Sequence, residues 1–298
     1  MARDQISIVG SSTVFPFSTV VAEDFGKTTN FNTPVVESTG TGGGFKLFCS
    51  GVGSTYPDIT NASRQVKQSE IDLCASNGIT MSEHMIGFDG IVIANTKAHS
   101  QFSLTREQLF KAVAKNVYID NKFVVNPYKL WSDIDVTLPD SEILIYGPPP
   151  TSGTRDAFVE LINLHVCTVD YNLDEKVAKN ECSSMREDGI FVEAGENDNL
   201  IVQKLIASPE SLGILGFSFL DQNGDKIQGT IVDGVEPSFE SISDGSYSLS
   251  RSLYFYTKDQ HMKDIPGFRE FVEHFMSSNM IGPDAKTVDK GLIPLRPN

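Results

Sequence analysis

Pro148-Pro149-Pro150-Thr151-Ser152-Gly153-Thr154-Arg155-Asp156-Ala157-Phe158 is the stretch from which the fold can be read. Before it, Ser141-Glu142-Ile143-Leu144-Ile145-Tyr146 reads as a strand, halted by Gly147 and three prolines. After it, Ala157, Phe158, Leu161, Ile162 and Val166 recur at helical spacing, which predicts a helix from near Thr154. Ser152 and Thr154 are N-cap residue types, and Gly153 lets the backbone pass close to whatever lies above the turn. A helix N-terminus carries orphan N–H donors and partial positive charge, which together attract an anion. Hydroxyls, bare amides and Arg155 in four consecutive positions suit a small oxyanion. An ordinary capped helix with a surface arginine would use the same residues, so the decision rests on the remaining chain.

The same strand, polar turn and helix recur earlier. Gln5–Val9 reads as a strand, Gly10-Ser-Ser-Thr-Val-Phe-Pro16 as a hydroxyl-rich turn, and Phe17–Gly26 as a helix entered through proline. Val35–Ser38 leads into Thr39-Gly-Thr-Gly-Gly-Gly44 and a short helix whose Phe45, Phe48, Cys49 and Val52 keep a buried-face spacing. Asp58–Ala62 ends in Ser63-Arg64 before a helix through Glu70 and Cys74, and Gly87–Ala94 is a fourth strand with a buried, apolar end. Ligands of doubly wound sheets sit at the carboxyl ends of strands, so these turns can converge. The glycine-rich turn lacks the Gly-Lys-Ser/Thr ending of a Walker A loop and the spacing of the dinucleotide fingerprint.

The 298 residues are 40% hydrophobic, enough for substantial cores, and no apolar run reaches the length of a membrane span. A net charge of −15 argues against nucleic acid or an anionic membrane surface as partner. An anion site here must therefore work through local dipoles and hydrogen bonds. Four cysteines allow three pairings; the sequential one, Cys49–Cys74 and Cys167–Cys182, closes the shortest loops and is the one expected. Four buried free thiols are the alternative. Zinc-ligand spacing is missing, so neither a metal nor a cofactor is expected. Two disulfides imply an oxidising compartment. Met1-Ala-Arg-Asp4 runs straight into a strand, which reads as a mature chain with an added initiator Met.

Further on, Thr105-Arg-Glu-Gln108 fits a capping box before a helix at 109–117, and Trp131 is expected to pack rather than to stack on a ligand. Residues 168–190 read as a polar excursion stapled by Cys167 and Cys182. Leu200–Ala207 is a helix, Gly213–Leu220 and Ser250–Thr257 are strands, and Phe268–Met276 is a final amphipathic helix. A chain crossing twice between two lobes accounts for the strong strands near 95 and 253. The lobes are then 1–94 plus 254–298, and 95–253.

Gly10-Ser-Ser-Thr-Val-Phe-Pro16, Gly42-Gly-Gly-Phe-Lys46, Asn61-Ala-Ser-Arg64, Lys129-Leu-Trp-Ser-Asp133, Leu138-Pro139, Ser152-Gly-Thr154 and Gly291-Leu-Ile-Pro-Leu295 occur in that order. On these residues the chain resembles the phosphate-binding proteins of bacterial high-affinity phosphate ABC transporters, over nearly its whole length. The resemblance implies an α/β, two-lobed periplasmic binding protein of the type II, Venus-flytrap kind, each lobe a mixed sheet flanked by helices. Such a protein closes around one inorganic phosphate, delivers it to a membrane permease and performs no chemistry. A monomer in the periplasm is expected.

Carried over by position, the resemblance implies ligands at Ser12, Thr13 and Val14, at Thr41, and at Ser152, Gly153 and Thr154. Two positions depart from the family pattern: Pro148 stands where many members have arginine, and Arg64 where some have aspartate. Arg64, next to Ser63, and then Arg155 are the candidates to restore positive charge. Related sequences with the Ala-Ser-Arg form tend to carry Asp-Gly before the hinge strand, so Asp89 becomes the candidate acid. Asn197 sits in a turn before a helix, as a ligand or a plain cap. Three rival readings are a binder of sulfate, molybdate or a phosphonate, a phosphatase or esterase using Ser152, and a sensor or adhesin that kept the fold after losing transport. Against the enzyme stand the missing Gly-x-Ser-x-Gly elbow and five histidines, none of which adjoins a glycine-serine turn.

Overall fold

The computed structural model describes residues 3–195 and 197–295. Two compact units emerge, Met1–Asp89 with Arg251–Asn298, and Gly90–Ser250. The chain passes between them at 89/90 and 250/251, rather than at 94 and 253.

The first unit begins β1 (Ser7–Gly10), α1 (Phe15–Thr28), β2 (Val35–Val36), α2 (Thr41–Phe48), β3 (Ile59–Ala62) and α3 (Gln68–Ser76). Strand β1 pairs in parallel with both β2 and β3. Helix α1 turns Phe17, Val21, Ala22 and Phe25 into the core. Pro16 stands in its first turn, where the missing N–H costs nothing. Gly10 holds φ 120°, and a Cβ there would collide with the Asn61 carbonyl oxygen. A Cβ on Gly44 would collide with Gly10 in turn. These two glycines let β1, α2 and β3 pack backbone against backbone, which gathers their hydroxyl-bearing turns.

Strand β4 (Met81–Thr96) starts earlier than the expected Gly87, because exposed Ser82 and Glu83 mask its beginning in the sequence. The second unit continues with β5 (Ser103–Leu104), α4 (Arg106–Val113), β6 (Asn116–Ile119), β7 (Lys122–Val125), α5 (Trp131–Ile134), β8 (Ile145–Gly147) and α6 (Gly153–Phe158). The capping box is present: Thr105 Oγ1 accepts the Gln108 amide at 3.1 Å, and Gln108 Oε1 accepts the Thr105 amide at 3.0 Å. Helix α4 ends before the expected 117, since 116–125 form a hairpin turning at Asp120 and Asn121, both with positive φ. Helix α6 runs on as π-helical turns over 159–164 and 166–170.

There follow α7 (Glu175–Cys182), β9 (Phe191–Glu193), α8 (Asp198–Ala207), β10 (Leu212–Gly216), α9 (Phe217–Gln222), β11 (Ile227–Gly229), β12 (Ile231–Val232) and α10 (Phe239–Ser243). The stretch 168–190 thus carries helix α7 between irregular segments, and the strand expected at 213–220 turns into α9 after Gly216. Strand β10 lies parallel to β8 and antiparallel to Ile91–Ala94 of β4, while β9 extends β8 in parallel. Val92, Ile201, Leu205, Leu215 and Ile227 form the core beneath.

Back in the first unit, β13 (Ser250–Lys258) pairs antiparallel with β3, followed by α11 (Phe268–Phe275) and α12 (Ser278–Ile281). Phe268, Phe271 and Phe275 close the core over Ile8, Phe25 and Phe255. Both expected disulfides form: Cys49–Cys74 ties the end of α2 to α3, and Cys167–Cys182 ties the π-helical stretch to α7.

A buried histidine gives the first unit a pH dependence. His261 Nε2 accepts the Gly53 amide at 2.9 Å, and Nδ1 lies 2.7 Å from Asp58 Oδ1. An amide can only donate, so the ring is neutral with its proton on Nδ1. Burial pushes its pKa below the ordinary 6.5; the Asp58 hydrogen bond opposes this, and the charges of Lys258 and Arg3 reinforce it. The unfolded chain therefore takes up a proton near pH 6.5 that the folded one refuses, so this contribution to stability is full above 6.5 and lost as pH falls below it. Urea midpoints should fall from pH 7.5 to 5.5, and His261→Gln should flatten that slope. An equal slope in the variant would assign the effect elsewhere.

Candidate functional site

In the turn after β1, Ser11 Oγ accepts the amides of Thr13 and Val14, each at 3.2 Å. Val14 is wholly buried, whereas Ser12 and Thr13 remain half-buried. Thr41, the first residue of α2, accepts the Ser63 amide at 3.2 Å and lies 3.1 Å from the Ser63 hydroxyl. That contact fastens the α2 N-terminus to the end of β3. Gly42 faces open space, and a side chain at Gly43 would meet only Thr39 at ordinary contact distance. Arg64 forks onto Glu70 of α3 at 2.7 and 2.9 Å and lies over the Phe45 ring. Burial raises the Glu70 pKa, but the hydrogen bonds from Arg64 and the Lys67 amide, with the charges of both residues, outweigh it and hold the carboxyl below its usual range.

Asp89 is paired within the first unit. Its Oδ2 lies 3.4 Å from Nε of Arg251, near the start of β13. The same guanidinium donates through Nη2 to Thr13 Oγ1 at 2.7 Å. One hydroxyl, one carboxylate and one arginine therefore meet beside the carboxyl end of β1.

In the second unit the turn after β8 is built as the sequence suggests. Ser152 Oγ accepts the Thr154 amide at 3.2 Å, and Gly153 is exposed with open space where a side chain would stand. Arg155 turns into the protein. It donates to the Pro148 carbonyl at 3.0 Å, lies 4.9 Å from the Phe191 ring centre and 3.5 Å from Glu193 Oε1. Burial weighs against its charge, and Glu193 supports it. Asn197 caps α8, accepting the Asn199 amide at 3.0 Å. Asp198 beside it is buried and accepts the Gly216 amide at 3.0 Å; burial pushes its carboxyl up, the amide only partly opposing.

The profile of the PBP superfamily domain matches residues 1–279. Phosphate-binding protein PstS of Staphylococcus saprophyticus is 32% identical over 292 residues, 96% of this chain and 79% of the relative. The chain belongs to the PstS-type family of the PBP superfamily. Protein SphX of Synechococcus elongatus is 30% identical, over 93% of this chain and 74% of its own length. A crystal structure described as a possible phosphate binding protein from Planctomyces limnophilus superposes with a TM-score of 0.79 at 28% identity, covering 99% of this chain and 94% of that one.

For a PstS-type chain, three groups of the expected residues come together within their own units: Thr13 with Asp89, Thr41 with Ser63, and the Ser152-Gly153-Thr154 turn. Others already have protein partners. Arg64 holds Glu70, Arg155 holds the proline turn, Asn197 caps a helix, and the Val14 amide goes to Ser11. Sequence reading missed Arg251. Ser250-Arg-Ser-Leu-Tyr-Phe reads simply as a strand with a polar start, and only a basic residue close to an expected crossing hinted at more.

Proposed function

We propose that this chain binds inorganic phosphate and presents it to the permease of an ABC transporter, without performing a reaction. Hydroxyl-bearing turns at the carboxyl ends of β1 and β8 and at the starts of α2 and α6 carry the reading, because they hold the residues by which the chain resembles phosphate-binding proteins. Ser12, Thr13, Thr41 and Ser63 of the first unit and Ser152, Gly153 and Thr154 of the second are the proposed ligands, with Asp89 as the acid. Arg64 and Arg155 add positive charge from positions fixed by Glu70 and Pro148. The protein works outside the cytoplasm, in the periplasm, as a monomer; its two disulfides support the compartment. Among the described residues no helix is long and apolar enough to cross a membrane. The charge of −15 favours no nucleic acid.

Calorimetry with phosphate, sulfate, molybdate and methylphosphonate tests the reading. Phosphate should bind most tightly, and Ser152→Ala should weaken it by about 10- to 100-fold, the loss of a hydrogen bond to a charged group. Silence with phosphate but heat with another anion would reassign the ligand. Unchanged affinity in the Ser152 variant would remove the second unit's turn from the site.

A further inference from the structure

Arg251 touches Thr13 in a way that fixes what Thr13 can offer. A guanidinium has N–H donors and no acceptor, so in the 2.7 Å contact the hydroxyl oxygen of Thr13 must accept. The Thr13 proton is thereby turned away from Arg251, and no acceptor among the described residues receives it. The amide of Thr13 already goes to Ser11, which leaves this hydroxyl as the donor the residue can extend to a ligand. Arg251 is itself held: its side chain is 8% exposed and its Nε faces Asp89. Asp89 and Arg251 are the residues at which the chain leaves and re-enters the first unit, so the orientation is set by β4 and β13.

We infer that Arg251 is a positioning residue which sets Thr13 as a hydrogen-bond donor, aimed at an unprotonated oxygen of the bound anion; this rests on the phosphate reading above. A freely rotating hydroxyl meets an acceptor or a donor equally well. One that spends a lone pair on a cation turns its proton outward, which favours donating over accepting, and the adjacent positive charge strengthens that bond.

The test is a double-mutant cycle: phosphate titrated calorimetrically into wild type, Thr13→Val, Arg251→Gln and the double variant, with thermal melts in parallel. Each single change should weaken phosphate by about 10- to 100-fold. In the Thr13→Val background, Arg251→Gln should change affinity by less than about twofold, since the group through which it acts is gone. An Arg251→Gln effect as large in that background as in wild type overturns the inference, because Arg251 would then touch the anion or hold the fold. Wild-type affinity in Arg251→Gln overturns it equally. If Arg251→Gln does not fold, Arg251→Lys takes its place in the same cycle, with the same non-additivity expected. Wild type that binds no phosphate fails the functional reading itself. Wild type that binds, with an additive cycle, fails this inference alone.

Discussion

Removing both disulfides should take away a substantial share of the stability of each unit. Each link lies in a different unit, Cys49–Cys74 in the first and Cys167–Cys182 in the second, so each supports its own core. A native disulfide contributes ~2–4 kcal/mol by restricting the unfolded chain, against a total stability of only ~5–15 kcal/mol for a folded domain. The sequence separations are 25 and 15 residues, and loop entropy makes the larger worth about 0.5 kcal/mol more. Cys49→Ser with Cys74→Ser should therefore lower the first unit's transition slightly more than Cys167→Ser with Cys182→Ser lowers the second's. Calorimetric scans of oxidised, reduced and double-serine protein would resolve this. Peptide mapping without reductant should recover both links. A reduced protein melting with the oxidised one would show that the links add nothing to stability.

The elements that sequence made legible are those with a local chemical cause. Proline after Phe15, glycine-rich turns and the Thr105–Gln108 capping box mark where helices begin, and α1, α2 and α4 start at or close to them. Errors arose where context outweighed local pattern. Exposed Ser82 and Glu83 still belong to a strand, because pairing rather than alternation sets its length. The charged run around Glu175–Cys182 forms a helix, since one buried face carrying Ala178 and Cys182 is enough to dock it. Among candidate site residues, hydroxyls were easy to find because turn chemistry selects them. The arginines were not, because a long side chain reaches several partners and sequence does not say which. Arg64 chose Glu70, six residues on, while Asp89 met Arg251, 162 residues away. No spacing rule reaches that far.

Asp89→Asn should largely abolish discrimination between phosphate and sulfate. At neutral pH both common forms of phosphate keep at least one proton, and sulfate keeps none. A carboxylate beside the anion can accept that proton's hydrogen bond; facing sulfate it meets only lone pairs, and acceptor opposes acceptor. Sites that demand a given hydrogen bond reject a ligand lacking it by about 10⁴-fold or more, which sets the scale of the expected loss. Asp89 has two oxygens, and the 3.4 Å contact with Arg251 engages only one of them. Asparagine keeps the shape but adds a donor, so sulfate affinity should rise far more than phosphate affinity falls. Competition calorimetry with both anions separates this from a purely structural role. If Asp89 served only to anchor Arg251, the substitution would loosen Thr13 for either anion and weaken both alike, leaving their ratio unmoved. The discriminating acid would then be sought at Glu37, Asp156 or Asp198, the last a buried carboxyl whose pKa burial raises.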